Sequence, residues 1–330
     1  MMYYIHSSSA DPYYNLALEQ VIFDRLDRRH SYFMLWQNDN AIIIGRHQNT
    51  LSEINAAYVK EKGITVARRL SGGGAVYHDL GNLNFTFVAD SGGASFDFSA
   101  FCKPIQKALD AIGVAVDISG RNDMTIDGKK FSGNAQYIKK GRVMHHGTIM
   151  YDTDMSVLAG ALRVDDDKIH SKGIKSVRSR VTNIKPYMKD RNITVAEFWE
   201  ILRERMFREH AMERYELTPG DLAAVCQLRN EVYSTWDWNY GASPAYSIQK
   251  ARRIEGCGRL EVFIDAGGSV INDIVFRGDY FGNGDGAELA GILRGCRMEE
   301  NAIRERLRDV DIAHYFAGLT QDGLICVLLE

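Results

Sequence analysis

Arg68-Arg69-Leu70-Ser71-Gly72-Gly73-Gly74 is the first stretch whose residue types and spacing can do chemistry. Three adjacent glycines expose backbone N–H groups and let the main chain approach a bound group closely. Such a turn can form a nest for an anion. The two arginines before it can clamp a carboxylate or phosphate bidentately, and His78-Asp79 follows shortly after. Read alone, the run equally suits a flexible turn with solvated arginines. It is neither a G-x-x-x-x-G-K-[ST] loop nor a G-x-G-x-x-G fingerprint.

Lys129-Lys130-Phe131-Ser132-Gly133-Asn134-Ala135 is the second. Strand alternation after a tight turn puts Lys130 on the opposite face from Lys129, so one lysine faces solvent and the other the interior or a cleft. An inward lysine is costly unless it meets an anion. Ser132, Gly133 and Asn134 offer donors and close backbone approach, although a Lys-Lys beside a turn by itself reads as solvated surface. Asp123, in Arg121-Asn122-Asp123, can orient a lysine or hold Mg²⁺ as a hard oxygen ligand. In His145-His146-Gly147-Thr148 the adjacent histidines point to opposite faces of a regular strand. They cannot chelate one metal, and a satisfied structural role is the simpler reading for each.

The elements that must position these groups follow from local signals. Asp11-Pro12 reads as N-cap and first helical residue, with Leu16, Ala17, Val21, Ile22 and Leu26 at helical spacing. Tyr32 to Trp36 and Ala41 to Gly45 look like paired buried strands. Thr50 with Glu53 fits a capping box, and Gly63 closes that helix. Ile64 to Ala67 and Asn84 to Val88 read as strands, Phe98 to Ile112 as a helix. Asp127-Gly128 and Lys140-Gly141 are hairpin turns, the second flanked by strands Phe131 to Ile138 and Val143 to Tyr151. A short helix starts near Asp154, and Thr194 to Glu209 is an amphipathic helix. Ser171 to Thr182 carries Lys172, Lys175, Arg178 and Arg180 with few apolar anchors, and reads as a mobile basic loop. Trp236 to Pro244 looks like a domain edge. Beyond it come strands Arg259 to Ile264 and Val270 to Phe276, a turn at Gly267-Gly268, and a final apolar strand, Leu324 to Leu329.

Composition narrows the function classes. At about 150 residues per domain, 330 residues suggest two domains. Hydrophobic residues at 45% and charged residues at 25% are globular values, and 5 prolines with 30 glycines exclude a collagen-like or low-complexity chain. The net charge of -3 argues against nucleic acid as the main partner. The five cysteines, Cys102, Cys226, Cys257, Cys296 and Cys326, are widely spaced with no C-x-x-C, which argues against a zinc site or disulfide framework. Met1 to Asp11 does not read as a signal peptide. No apolar run reaches the roughly 18 residues of a membrane span, so a soluble cytoplasmic protein is expected.

In order and spacing these segments resemble the lipoate–protein ligase family across nearly the whole chain. The carrying residues run from Arg68 to Asn84, with Arg121-Asn122-Asp123, Lys130 to Ala135, His145 to Thr148, Lys172 to Asn183 and Trp236 to Gly241. The resemblance implies an α/β (α+β) architecture: a biotin/lipoate-ligase-like catalytic domain with a mixed β-sheet, residues 1–247, and a smaller C-terminal α/β accessory domain, residues 248–330. It implies ATP with Mg²⁺ and lipoate as substrates, and no prosthetic group. The lipoate carboxylate attacks the α-phosphate, giving lipoyl-AMP and pyrophosphate, and a carrier lysine then takes the lipoyl group as AMP leaves.

By residue-for-residue match, Lys130 is the catalytic ammonium, contacting the lipoyl carboxyl and the α-phosphate. Arg69, Ser71, Gly72, Gly73, Gly74, Ala75, Val76, Tyr77, His78, Asp123, Ser132, Gly133, His146 and Thr148 line the ATP and lipoyl-adenylate site, with Asp123 the partner of Lys130 or of Mg²⁺. Lys172, Arg178 and Arg180 sit on an adenylate-covering loop, and the small domain rotates about Tyr240 to Ser247 between the two steps. The implied acceptors are lipoyl carrier domains of 2-oxoacid dehydrogenase E2 subunits and the glycine-cleavage H protein, met by a monomer without nucleic acid or membrane. The enzymatic rival on this fold is an octanoyl or lipoyl transferase between carrier proteins, cysteine-independent or working through a cysteine thioester. No cysteine lies between Cys102 and Cys226, and Cys102 reads as buried filler. A non-catalytic lipoyl-binding module would show a degraded site, whereas Lys130, Arg69 and the three glycines are all present.

Overall fold

A computed structural model describes residues 1–48, 50–90, 98–119, 123–162, 181–240, 248–267 and 269–329. The chain divides into two compact units. The first comprises Met1–Ile43, Ile54–Arg69 and Val76–Asn239; the second comprises Ile44–Glu53, Leu70–Ala75 and Tyr240–Glu330.

The first unit is built on an eight-stranded mixed sheet. Its strands are β1 (Met2–His6), β2 (Ser31–Trp36), β6 (Asn82–Asp90), β7 (Asp117–Ser119), β8 (Asp123–Ile126), β9 (Lys129–Lys139), β10 (Arg142–Met150) and β11 (Glu213–Arg214), in the order β11-β1-β2-β6-β10-β9-β8-β7. β1 runs parallel to β2 and β11, and the remaining pairs are antiparallel. β3 (Ala41–Ile44), β4 (Thr65–Arg68) and β5 (Val76–His78) form a separate sheet in the order β4-β3-β5. The mixed α/β architecture is the one expected.

Alternation along the central strands sorts the core from the site. Phe33, Leu35, Phe85 and Phe87 share one face and pack with Cys102 and Ile105 of the helix Phe98–Asp110 and Phe198 and Leu202 of the helix Val195–His210. The opposite face presents Thr86 and His146 to helix α1 (Pro12–Arg25), where both reach Glu19. Asp11 caps α1 through Tyr13 N, with Pro12 inside the first turn, as expected. Thr194 and Glu197 close a reciprocal capping box on the helix Val195–His210.

The turns form as read. Asp127 and Gly128 both have positive φ, 51° and 72°, as do Lys140 and Gly141 at 50° and 73°, the conformation of tight two-residue hairpins.

Three expectations are corrected. β2 and β3 are both strands but do not pair with each other: β2 lies between β1 and β6, and β3 between β4 and β5. Both runs are apolar on both faces, so their composition could not say which neighbour each would take. The single helix expected from Thr50 to Gly63 is two short ones, Thr50–Glu53 and Ala56–Glu61. Ile54 makes a bridge to Leu162, and Asn55 caps the second helix. Leu324 to Leu329 lies in a helix, Gln321–Leu329, not a strand. Leu324, Ile325, Val327 and Leu328 are its buried positions, a helical face that a short apolar run conceals.

The second unit carries an antiparallel sheet of β12 (Ile248–Ile254), β13 (Gly258–Gly267) and β14 (Val270–Gly278). Its core joins β13 and β14 residues to the helices Gly286–Leu293 and Gln321–Leu329. β12, with Gln249, Lys250, Arg252 and Arg253 among three apolar residues, was not foreseen. No helix among the described residues is long and apolar enough to cross a membrane.

Candidate active site

β8 and β9 pair from Ile126↔Lys129 and Thr125↔Lys130, then resume at Met124↔Ser132 and Asp123↔Gly133. Phe131 is therefore an extra residue on β9, a β-bulge. A regular strand would put Lys130 and Gly133 on opposite faces. The bulge brings them to the same side: a Cβ at Gly133 would lie 2.8 Å from Lys130 Nζ. The ammonium meets Asp123 Oδ1 at 2.7 Å, both side chains being a little over one-third exposed. Thr182 N donates to Lys130 O, and Gly133 N donates to Thr148 Oγ1 across the sheet. Lys130 thus lies between Lys129, which is exposed, and Phe131, which is fully buried. Ser132 and Asn134 turn to the other face, where Asn134 reaches Ser132 Oγ and His145.

A second group lies on the α1 side. His146 Nδ1 donates to Glu19 Oε1 at 2.9 Å, and the same oxygen accepts from Thr86 Oγ1, which in turn accepts from Trp36 Nε1. Glu19 is 1% exposed. Its charge reaches the Arg69 guanidinium, whose Nη1 donates to Ile43 O. Burial, reinforced by Arg68, pulls Arg69 down to about 10, against the opposing pull of Glu19; it stays protonated at neutral pH. His146 and Thr148 stand two residues apart on β10, so one strand face serves both groups.

His78 joins this group at the end of β5 and is 3% exposed. Asn15 Nδ2 is fixed by donating to Ser9 O and Gln37 O, and donates also to Asn38 Oδ1. That turns the Asn38 amide nitrogen toward His78 Nδ1 at 3.1 Å. The ring proton then sits on Nε2, which has no partner among the described residues. Burial, with Arg69 and His146 adding to it, drives His78 down to about 3, so the ring is neutral. Tyr77 donates to Asn40 Oδ1, and burial pushes its phenol up to about 12.

Ser71, Gly72, Gly73, Gly74 and Ala75 belong to the second unit. Two of the three glycines have a structural reason and Gly74 has none. A Cβ at Gly72 would sit 2.5 Å from Tyr280 O, Gly73 has φ +88°, and a Cβ at Gly74 would meet nothing within 4 Å. Ser71 O accepts from Arg46 N, and the His47 and Tyr280 rings stack at 4.5 Å. Arg121, Asn122, Lys172, Arg178 and Arg180 lie outside the described residues. Among the described residues no group of three or more His, Cys, Asp or Glu side chains could hold a metal ion.

Cys102 Sγ lies 3.9 Å from His145 Nε2, a proximity the sequence did not suggest. Gln136 Nε2 lies 3.1 Å from His145 Nδ1, and Asn134 Oδ1 lies 3.3 Å from His145 Nε2. The ring stacks against Phe85 and Phe101, and Cys102 is 1% exposed. No disulfide joins the five cysteines.

Glu19, Asn15 and Asn38 are not singled out by the sequence reading, and Trp36 and Thr86 enter it only as strand residues. The available signal was Asn15 and Glu19 at i, i+4 on an apolar helix, a polar stripe where core residues belong.

The depressed His78 makes stability fall with acid. The unfolded ring takes a proton near its ordinary 6.5, while the folded ring resists until about 3. Its contribution is complete above pH 6.5 and lost as pH falls through that window, at about 1.4 kcal/mol per pH unit. Urea unfolding between pH 7 and 4.5 should show a shallower loss for His78→Gln than for the wild type. Equal slopes would refute the assignment.

The family model for the lipoyl protein ligase A/B catalytic domain matches residues 11–207, and that for the bacterial lipoate protein ligase C-terminus matches residues 243–328. The chain is 42% identical to lipoate-protein ligase LplJ of Bacillus subtilis, over 98% of this chain and 99% of that protein. It is 40% identical to lipoate–protein ligase 1 of Staphylococcus aureus, with the same coverage. Among solved structures, P. falciparum LipL1 in complex with lipoate shares the fold at a TM-score of 0.81 and 24% identity, covering 100% of this chain and 99% of that one. A bipartite lipoate protein ligase from Thermoplasma acidophilum, studied with its E2 lipoyl domain, matches at a TM-score of 0.64 and 27% identity, over 74% of this chain and 98% of that one. With both family models matched in order and two relatives at 40% identity or more along almost the whole length, the chain belongs to the lipoate–protein ligase family.

Proposed function

We propose that the protein is an ATP-dependent lipoate–protein ligase that forms lipoyl-AMP and passes the lipoyl group to a lysine of a lipoyl carrier domain. The observation that carries this reading is the Lys130 ammonium, fixed by Asp123 at 2.7 Å beside a glycine that leaves it room. A carboxylate acylates poorly until it becomes a mixed anhydride. Attack on the α-phosphate builds charge on phosphoryl oxygens, and a preorganised ammonium stabilises that charge.

On this reading Lys130 spans the lipoyl carboxyl and the α-phosphoryl group. Arg69, the Gly74-Ala75-Val76-Tyr77 segment and the neutral His78, with its Nε2–H available to an acceptor, line the adenylate site with His146 and Thr148. Gly72 and Gly73 shape the turn that presents Gly74, and Gly133 N–H is held by Thr148. MgATP enters as substrate. The catalytic domain is drawn at residues 1–247 and the accessory domain at 248–330, a division supported by the two family matches. Acceptors are E2 lipoyl domains and the H protein, in keeping with the archaeal relative studied with its E2 lipoyl domain. The absence of disulfides suits the reducing cytoplasm.

A thioester transferase would need an exposed, activated thiolate. Cys102 is 1% exposed, which does not meet that need.

Lys130→Ala should leave thermal unfolding unchanged and lower lipoate-dependent pyrophosphate release roughly 10²-fold or more. Near-normal release by the folded variant would contradict the role. A variant with all five cysteines replaced by Ser or Ala, if folded, should still attach lipoate with ATP. Selective loss of transfer from pre-made lipoyl-AMP would restore the thioester reading.

A further inference from the structure

The Arg229 to Asn239 stretch carries no chemistry of its own, yet its contacts reach the chain neighbours of both charged groups of the buried cluster, Arg68 beside Arg69 and Gln20 beside Glu19. Arg68, the last residue of β4 and neighbour of Arg69, is gripped by Trp238 and Asn239. Its backbone N donates to Asn239 Oδ1 at 2.8 Å, and its carbonyl accepts from Trp238 Nε1 at 2.9 Å. Its Nε donates to Trp238 O at 2.9 Å and its Nη2 to Asn239 O at 3.1 Å. Asn239, 2% exposed, is itself anchored by donating to Tyr233 O and Thr235 O.

The same segment holds α1. Tyr233, fully buried and set edge-on to Trp238, donates to Gln20 Oε1 at 2.8 Å, and Gln20 is the chain neighbour of Glu19. Arg229 Nε donates to Asp11 Oδ2 at 2.6 Å, on the residue that caps α1. Glu19 and Arg69 are thus each one residue away from a position tied to residues 229–239. All of these residues belong to the first unit.

We propose that Tyr233, Trp238 and Asn239 are positioning residues that set the Arg69 guanidinium against the Glu19 carboxylate in the lipoyl-adenylate site. The proposal rests on the ligase reading. Tyr233 contacts Gln20 and Trp238 contacts Arg68. They act through Arg68 and Gln20, and a displacement of about an ångström in a charged group costs catalysis heavily. Residues that act through one another give non-additive losses.

The test is a double-mutant cycle read by lipoate-dependent ATP–pyrophosphate exchange on the full chain. Trp238→Phe keeps a ring and deletes the Nε1–H that holds Arg68 O. It should lower kcat/KM for lipoate about tenfold in the wild type and less than twofold in the Arg69→Gln background. Tyr233→Phe, which removes only the hydroxyl on Gln20, should couple in the same way to Glu19→Gln and serves if Trp238→Phe does not fold. Equal fold losses with Arg69 present or substituted, or no loss from either variant, overturn the proposal. Absence of lipoate-dependent exchange in the wild type would defeat the ligase reading itself.

Discussion

One additional residue in a strand places the ammonium on which the proposed chemistry turns. With β9 in perfect register, Lys130 would point away from Gly133. Phe131 bulges out of the ladder, and three groups gather on one side: the Lys130 ammonium, the Asp123 carboxylate across the pair and the bare backbone of Gly133. Each depends on the others. The carboxylate fixes a long side chain that would otherwise wander, the glycine leaves space for its head, and Thr148 from β10 holds the glycine's N–H. Phe131 is fully buried in the core, so the bulge is secured by the packing that holds the sheet together.

β10 ties this arrangement to the rest of the molecule. Its two adjacent histidines serve opposite purposes because alternation sends them to opposite faces. His146 meets Glu19 on the α1 side, within the charged cluster that includes Arg69. His145 is held among Phe85, Phe101, Gln136 and Asn134 on the side of the apolar core. A buried guanidinium is costly unless an acceptor and an opposite charge compensate it; Ile43 O accepts from Arg69 and the Glu19 charge favours its protonated form, which accounts for a carboxylate on the buried face of α1. The second unit adds its own constraint: Gly72 must be glycine because the Tyr280 carbonyl occupies the place of a side chain.

The sequence made local rules legible and left long-range ones obscure. The Asp11-Pro12 cap, the Asp127-Gly128 and Lys140-Gly141 turns and the Thr194 helix start depend on neighbouring residues, and each formed where it was read. The partnership of β2 and the helical state of Leu324 to Leu329 depend on what packs against an apolar run, which the run itself does not encode. Glu19 belongs to the same class. Its role is visible only once β6 and β10 are laid against α1, although its spacing from Asn15 hinted at a polar stripe. Lys130 stands apart from Lys129 as alternation suggested, yet its approach to Gly133 comes from the bulge, which no residue pattern announced.

Lipoate-dependent ATP–pyrophosphate exchange by Gly133→Val tests the central claim most directly. The new side chain would take the place of the ammonium without removing any charged group. If the bulge exists to hold Lys130 at the reacting phosphoryl group, exchange should fall roughly tenfold or more, with thermal unfolding close to wild type. Undiminished exchange by the folded variant would contradict the account.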